Sequence, residues 1–380
     1  MLRLRKSQTE NHANGGTMNR IQSIHYLRGI AALLVVAYHN RSFSYEHYTG
    51  ENWTEVLFQG GAFGVDLFFL ISGFIIAYST RRAEHSHLSD YVLRRFFRIY
   101  PVFWLVLIAY ILSENSFTFW NIIRSAFLLH NNYSGNPPFF EYNILYPAWS
   151  MTYEIYFYII FAISMKLSHK YRVMTTPLIL VFMTLILQLF YNSSFSIYEN
   201  VQLHGAIEKG LGFLNFIASP LMFNFIAGMA IYTIHDKMHL IKAKGLLSFV
   251  FINVFLCMYL YNYHYKHGIY GFGLWAIFLI TGSLLYEARY QLTNFAPLII
   301  LGDISYSLYL VHPLVMHLMA ANHESIPMYE KNSPAKFLMI VSTSLVAAYL
   351  LHHFVELPAI KLGKNVINYF HKRNKLLTAK

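Results

Sequence analysis

Arg28 and His39 stand 11 residues apart in the apolar run IHYLRGIAALLVVAYHNRSF. On a helix that spacing is about 20° past three full turns and about 16 Å of rise. The guanidinium and the imidazole therefore face one way at two depths of one element. An imidazole so placed suits a general base or an acyl-accepting nucleophile, and the guanidinium suits an anion clamp. Two side chains snorkelling to opposite headgroup layers would give the same sequence, but the shared face favours a common cavity.

Further polar groups interrupt other apolar runs, where a charge costs several kcal/mol and is a functional hypothesis by default. Asp66, in GGAFGVDLFFLISGFIIAYS, lies at a depth comparable to His39. It either orients the imidazole or pairs with another cation as a packing element. Arg95 and Arg98, in YVLRRFFRIYP, share a face at i, i+3 and suit a polyanionic headgroup, of a lipid or a nucleotide, if they are not simple anchors. Glu356, in FVELP, is the expected counter-ion of one of them. YPAWSMTYEIYFYIIF puts Trp149, Ser150 and Glu154 at or just within the outer surface. In LGDISYSLYLVHPLVMH, His312 lies near the midplane, with Ser305 on its face and Tyr309 one turn below; the competing reading is a core histidine with its bonds satisfied. Tyr45, Tyr48, Trp53, Phe139 and Phe140 are placed either to stack on sugar rings or to anchor in the interfacial belt. Cys257, alone in an apolar run, provides neither a disulfide nor a thiolate metal site, and no metal is expected.

The elements that must position these groups follow from composition. Of 380 residues, 56% are apolar and only 12% charged, about half the usual share of charge in soluble domains. Apolar runs of helical spanning length fall at 23–43, 60–79, 96–113, 148–166, 175–193, 212–234, 246–262, 268–286, 297–320 and 336–357. Ten spans put both termini on one side. With that side cytoplasmic, inner segments hold 22 Lys and Arg and outer segments six, with Arg28 inside a span. This positive-inside split accounts for the net charge of +11 without nucleic acid. The expected fold is an all-α polytopic transmembrane helix bundle of about ten spans in the inner (plasma) membrane. A basic tail occupies 1–22, the membrane domain 23–358 and a second basic tail 359–380. There is no cleavable signal pattern, and translation starts at Met1 or Met18. Residues 114–147 are expected outside, with 117–130 as a helix lying at the interface or dipping into a cavity. The absence of an internal repeat weighs against an inverted-repeat transporter.

Five segments in this order resemble the acyltransferase-3 family of ten-helix membrane acyltransferases: LRGIAALLVVAYHN, GVDLFFLISGF, RRFFRIYP, PAWSMTYEIYF, and SYSLYLVHP followed by FVELP. The resemblance runs from about Ile24 to Pro358. It implies acyl-CoA use at the cytoplasmic face and O-acylation, usually acetylation, of cell-surface carbohydrate. It also implies Arg28 for donor binding, His39 for catalysis, Arg95 and Arg98 at the family's Arg-x-x-Arg position, and Trp149, Ser150, Glu154 and His312 as site residues. The chain is expected to be a stand-alone member without the esterase-like domain that some members carry. On this reading acetyl-CoA is a donor substrate, no cofactor is permanently bound, and the partners are the bilayer and a carbohydrate acceptor. The donor phosphates would dock on Arg95, Arg98 and Arg28, with the acyl arm rising to a His39 oriented by Asp66 or Glu154. A transporter or flippase with the same buried charges is the principal rival. A b-type haem protein is another, and needs two histidines facing across the bundle.

Overall fold

The computed structural model describes residues 20–44, 53–81, 87–114, 116–326, 329 and 333–378. Tyr45, Tyr48 and most of the amino-terminal tail, Met18 included, lie outside the described residues.

Helices fall on all ten expected stretches. They are α1 (Gln22–Asn40), α2 (Gly64–Ser79), α3 (Leu88–Ser113), α5 (Trp149–Leu167), α6 (Arg172–Asn192), α7 (Met222–His235), α8 (Lys244–Leu260), α9 (Phe272–Arg289), α10 (Ala296–Ala321) and α11 (Pro334–Leu351). Between α3 and α5 lies the short α4 (Phe119–Ala126), and a π-helical turn, His352–Glu356, joins α11 to α12 (Leu357–Thr378). The described residues are all-helical apart from an isolated bridge between Asn132 and Glu141. Among the described residues, six stretches are long and apolar enough to cross a membrane: Trp53–Ser79, Leu88–Ser113, Arg172–Asn192, Phe213–His235, Ala296–Ala321 and Pro334–Arg373. α4 has 8 residues, about 12 Å of helix against about 30 Å of hydrocarbon, too short to cross by itself.

α2 is central. Phe69 on it meets Phe225 of α7 at 4.7 Å between ring centroids, and Phe157 of α5 stacks on Phe225 at 4.4 Å. α6 and α8 are peripheral, showing Phe182, Phe190, Phe249 and Leu260 outward, as lipid-facing helices do. Two devices fix α1, the helix of Arg28 and His39. The Glu287 carboxylate of α9 accepts from the Gln22 and Ser23 amides, each at 2.9 Å, and so covers donors that a helix start leaves unsatisfied. Further along, Gly29 packs on Gly302 of α10. A Cβ at Gly29 would stand 2.6 Å from the Gly302 amide nitrogen, so only glycine lets the two backbones approach this closely. Held together there, α1 and α10 run outward side by side to His39 and His312.

Candidate active site

At the outer ends of α1 and α10, His39 Nδ1 lies 3.1 Å from His312 Nε2 with the rings stacked, 15° between planes. His312 is fully buried, and its Nδ1 stands 3.3 Å from the Leu308 carbonyl, which only accepts. That nitrogen therefore carries the proton, His312 Nε2 accepts, and His39 Nδ1–H donates. The pair leaves His39 Nε2 as the free lone pair, on a ring that is only half-buried. Tyr146 stands edge-on to both rings, with centroids at 5.1 and 6.3 Å. The 3.1 Å contact is a hydrogen bond between the two rings.

Below the histidines, Ser150 Oγ and Tyr309 OH meet at 2.7 Å, and Tyr309 donates to the Pro147 carbonyl at 2.9 Å. These hydroxyls line the outer end of a narrow cavity of about 110 Å³ whose walls include Arg28, Arg95, Arg98, Ser72, Glu154 and Tyr306. Arg28 and Arg98 also line a wider vestibule of about 610 Å³ at the inner end, together with His25, Asp303 and His352. The order along the bundle from the amino-terminal end of α1 is thus wide vestibule, three arginines, narrow cavity, hydroxyl pair, histidine pair.

The arginines of the i, i+3 pair diverge, Arg98 toward a carboxylate and Arg95 onto an aromatic ring. Arg98 Nη1 lies 3.7 Å from Glu356 Oε1, as the expected counter-ion pairing required, and Glu356 Oε2 accepts from Ser307 at 2.8 Å and His352 Nδ1 at 2.9 Å. Arg95 sits over the Tyr158 ring, 5.3 Å from its centroid. Tyr158 and Ser72 both donate to Glu154 Oε1 at 2.5 Å. Such short O–H···O contacts are the length expected of charge-assisted bonds.

Three expectations need correction. Asp66 does not orient His39. It is fully buried and accepts from His267 Nδ1 at 2.7 Å, Asn224 Nδ2 at 2.6 Å and the Gly268 amide at 2.7 Å. The loop before α9 folds back under α2 because Gly268 adopts φ +97°, a conformation glycine takes without penalty. Glu154 is not at the outer surface with His39 either. A turn and a half along α5 carries it past the hydroxyl pair into the cavity of the arginines. Ser305 turns back to its own helix, donating to the Gly302 carbonyl at 2.9 Å. Trp149 packs edge-on to Phe69, Phe139 and His267 and frames the Asp66 junction. Phe140 is buried against His130 and Phe216, so it is not a free sugar platform. Sequence reasoning missed Ser72, Tyr146, Tyr158, His267 and His352. Ser72 alone had a local signal, a hydroxyl six residues after Asp66 in an otherwise apolar stretch.

A family model described as an acyltransferase domain matches residues 21–353. The peptidoglycan O-acetyltransferase OatA of Listeria monocytogenes is 23% identical over 402 residues, covering 92% of this chain and 57% of the relative, so the chain spans little more than half of that protein. The exopolysaccharide production protein ExoZ of Rhizobium meliloti is 24% identical over 323 residues, covering 80% of this chain and 91% of the relative. The acyltransferase MdmB of Streptomyces mycarofaciens is 30% identical over 162 residues, 40% of this chain and 41% of the relative. No solved structure matches the chain. The matched region begins at the Glu287-capped start of α1 and ends in the π turn before Glu356, taking in the three arginines, the narrow cavity and both histidines; the chain belongs to the acyltransferase-3 family.

Proposed function

We propose that the chain sits in the inner membrane and moves an acetyl group from acetyl-CoA, bound from the cytoplasmic side, to a hydroxyl of a cell-surface carbohydrate such as lipopolysaccharide O-antigen, capsule or exopolysaccharide. The observation that carries this reading is the graded passage: a wide cationic vestibule adjoins a narrow cavity lined by a hydroxyl pair, whose Tyr309 ring neighbours His312, the partner of His39. A thioester donor has the same shape, with a bulky phosphorylated head and a thin arm tipped by the reactive carbon. In this scheme Arg28, Arg95 and Arg98 hold the phosphates. Glu356 keeps Arg98 in place while the site is empty, and the Tyr158 ring, itself donating to Glu154, lies against Arg95.

At the outer end, His39 Nε2 takes the proton of the acceptor hydroxyl as its oxygen adds to the thioester carbonyl. Ser150 or Tyr309 donates to the oxyanion of the tetrahedral intermediate. Collapse breaks the carbon–sulfur bond, and the departing thiolate takes the proton from His39, giving the O-acetyl ester and free coenzyme A. The names of OatA and ExoZ support a polysaccharide-related acceptor for this chain.

The test is acetyl-CoA turnover by purified protein in nanodiscs, with and without bacterial surface polysaccharide, for wild type, His39→Ala and Arg98→Ala. Carbohydrate-stimulated turnover that disappears in His39→Ala is expected. Acylation by a normally folded His39→Ala protein would sink the mechanism, and well-folded wild type that neither binds nor turns over any short acyl-CoA would return weight to a transporter.

A further inference from the structure

α12 carries three stripes. Ile360, Gly363 and Ile367 face the inner end of α3, where a Cβ on Gly363 would stand 2.8 Å from Phe97. Lys361, Lys364 and Asn368 follow on the adjoining polar face and are exposed. The third stripe is apolar yet exposed: Leu362, Tyr369 and Leu376, at i, i+7 and i+14, are 54, 63 and 65% accessible. α3 shows Val92 and Phe96 outward at the same end.

Between α3 and α12 runs a groove of about 410 Å³, lined by Arg94, Arg95, Arg98, Lys364 and Asn368 over a floor of Phe97 and Ile367. The carboxylates beside it are already engaged. Asp90 accepts from His371 Nε2 at 2.8 and 2.9 Å with Arg94 at 3.8 Å, and Glu356 faces Arg98. Four cationic side chains thus meet in a groove whose own walls hold no carboxylate among the described residues. The positive-inside pattern places this end of α3 at the cytoplasmic leaflet, whose surface is negatively charged.

We infer that the groove holds the phosphodiester headgroup of an acidic phospholipid from the cytoplasmic leaflet, and that the apolar stripe of α12 rests on the acyl layer beside it. Arg94 and Lys364 make the contacts peculiar to this site, because Arg95 and Arg98 also face the inner cavity. Charge complementarity selects the ligand class. A zwitterionic lipid would bring its own ammonium against the four cations, and a soluble phosphate would leave the neighbouring leucine and tyrosine faces in water.

The test is native mass spectrometry of the full-length protein in detergent, with phosphatidylglycerol titrated against phosphatidylcholine of the same acyl chains. Wild type should retain phosphatidylglycerol selectively. Arg94→Gln/Lys364→Gln should bind it about 30-fold more weakly, and Lys364→Gln alone, at an exposed position, about fivefold. Equal retention of both lipids, or unchanged phosphatidylglycerol binding by the double variant, would overturn the assignment. So would one-for-one displacement of the lipid by coenzyme A, which would make the groove part of the donor site. Inorganic phosphate displacing the lipid at millimolar concentration would also count against it, by showing that the acyl layer contributes nothing.

Discussion

Two imidazoles near the outer ends of the helices are each held through Nδ1, and they are held for different purposes. His267 donates to Asp66, a fully buried carboxylate that also takes bonds from Asn224 of α7 and the Gly268 amide. Three donors from two segments converge on one anion of a third, and the result is a staple joining α2, α7 and the loop before α9. His39 donates to another imidazole, which in turn is fixed by a carbonyl. That arrangement has no formal charge, ties only α1 to α10, and leaves one nitrogen lone pair uncommitted on a half-buried ring. A histidine bound to an aspartate resembles a base with its orienter, yet here the carboxylate is saturated by structural bonds, and the ring with the free lone pair lies elsewhere.

The contrast makes graded predictions. His39→Ala should lower acyl turnover about 10³-fold or more while the thermal midpoint in nanodiscs stays within a few degrees of wild type. Asp66→Ala should act on stability instead. Removing the carboxylate leaves three buried donors facing one another, at a cost of about 3 kcal/mol, read as a lowered thermal midpoint, with turnover per folded molecule close to wild type. A turnover loss in folded Asp66→Ala as large as that of His39→Ala would erase the distinction. His312→Gln should fall between them, at about 10- to 100-fold in kcat with the KM for donor little changed, because tautomer control is lost while the arginines remain. Its pH–rate profile should also shift, whereas a purely packing role would leave the profile in place.

The smallest effect concerns a third histidine, in the outer excursion. His130 is buried among Tyr133, Phe140 and Phe216, and burial lowers its pKa from 6.5 to about 4. The unfolded chain therefore binds the proton first as pH falls. The stability attached to neutral His130 is complete above pH 6.5 and is lost progressively toward pH 4. Between pH 7 and 5.5 this amounts to about 1 kcal/mol. His130→Phe should show a correspondingly smaller drop in thermal midpoint over that interval, measured against wild type in the same nanodiscs.

The positions of the helices were legible in the sequence because each apolar run has to bury its backbone in helical bonds on its own. The depth and face of Arg28 relative to His39 were legible for the same reason, since both follow from one helix. Contacts between distant segments were not. His39 and His312 are separated by 273 residues and Asp66 and His267 by 201, and nothing in either local pattern says which helices are neighbours. Asp66 was placed at a sensible depth with its role left open between orienting His39 and packing against another cation, because the imidazole it meets comes from a loop that a single positive-φ glycine turns inward. Glu154 was misplaced for a simpler reason. A turn and a half of α5 moves a side chain about 8 Å, enough to exchange the outer surface for the arginine cavity.

The contact between Ser150 and Tyr309 has a consequence for the membrane itself. A bilayer that stores an ion gradient does not tolerate a continuous file of water from one face to the other, and the vestibule and cavity already carry polar surface deep into this one. The two hydroxyls are bonded to each other and Tyr146 stands edge-on to both histidine rings, so these polar groups are committed to one another rather than left to order a file of water. On the proposed transfer route each turnover would part that pair, so the same two side chains would set how far the membrane leaks between turnovers.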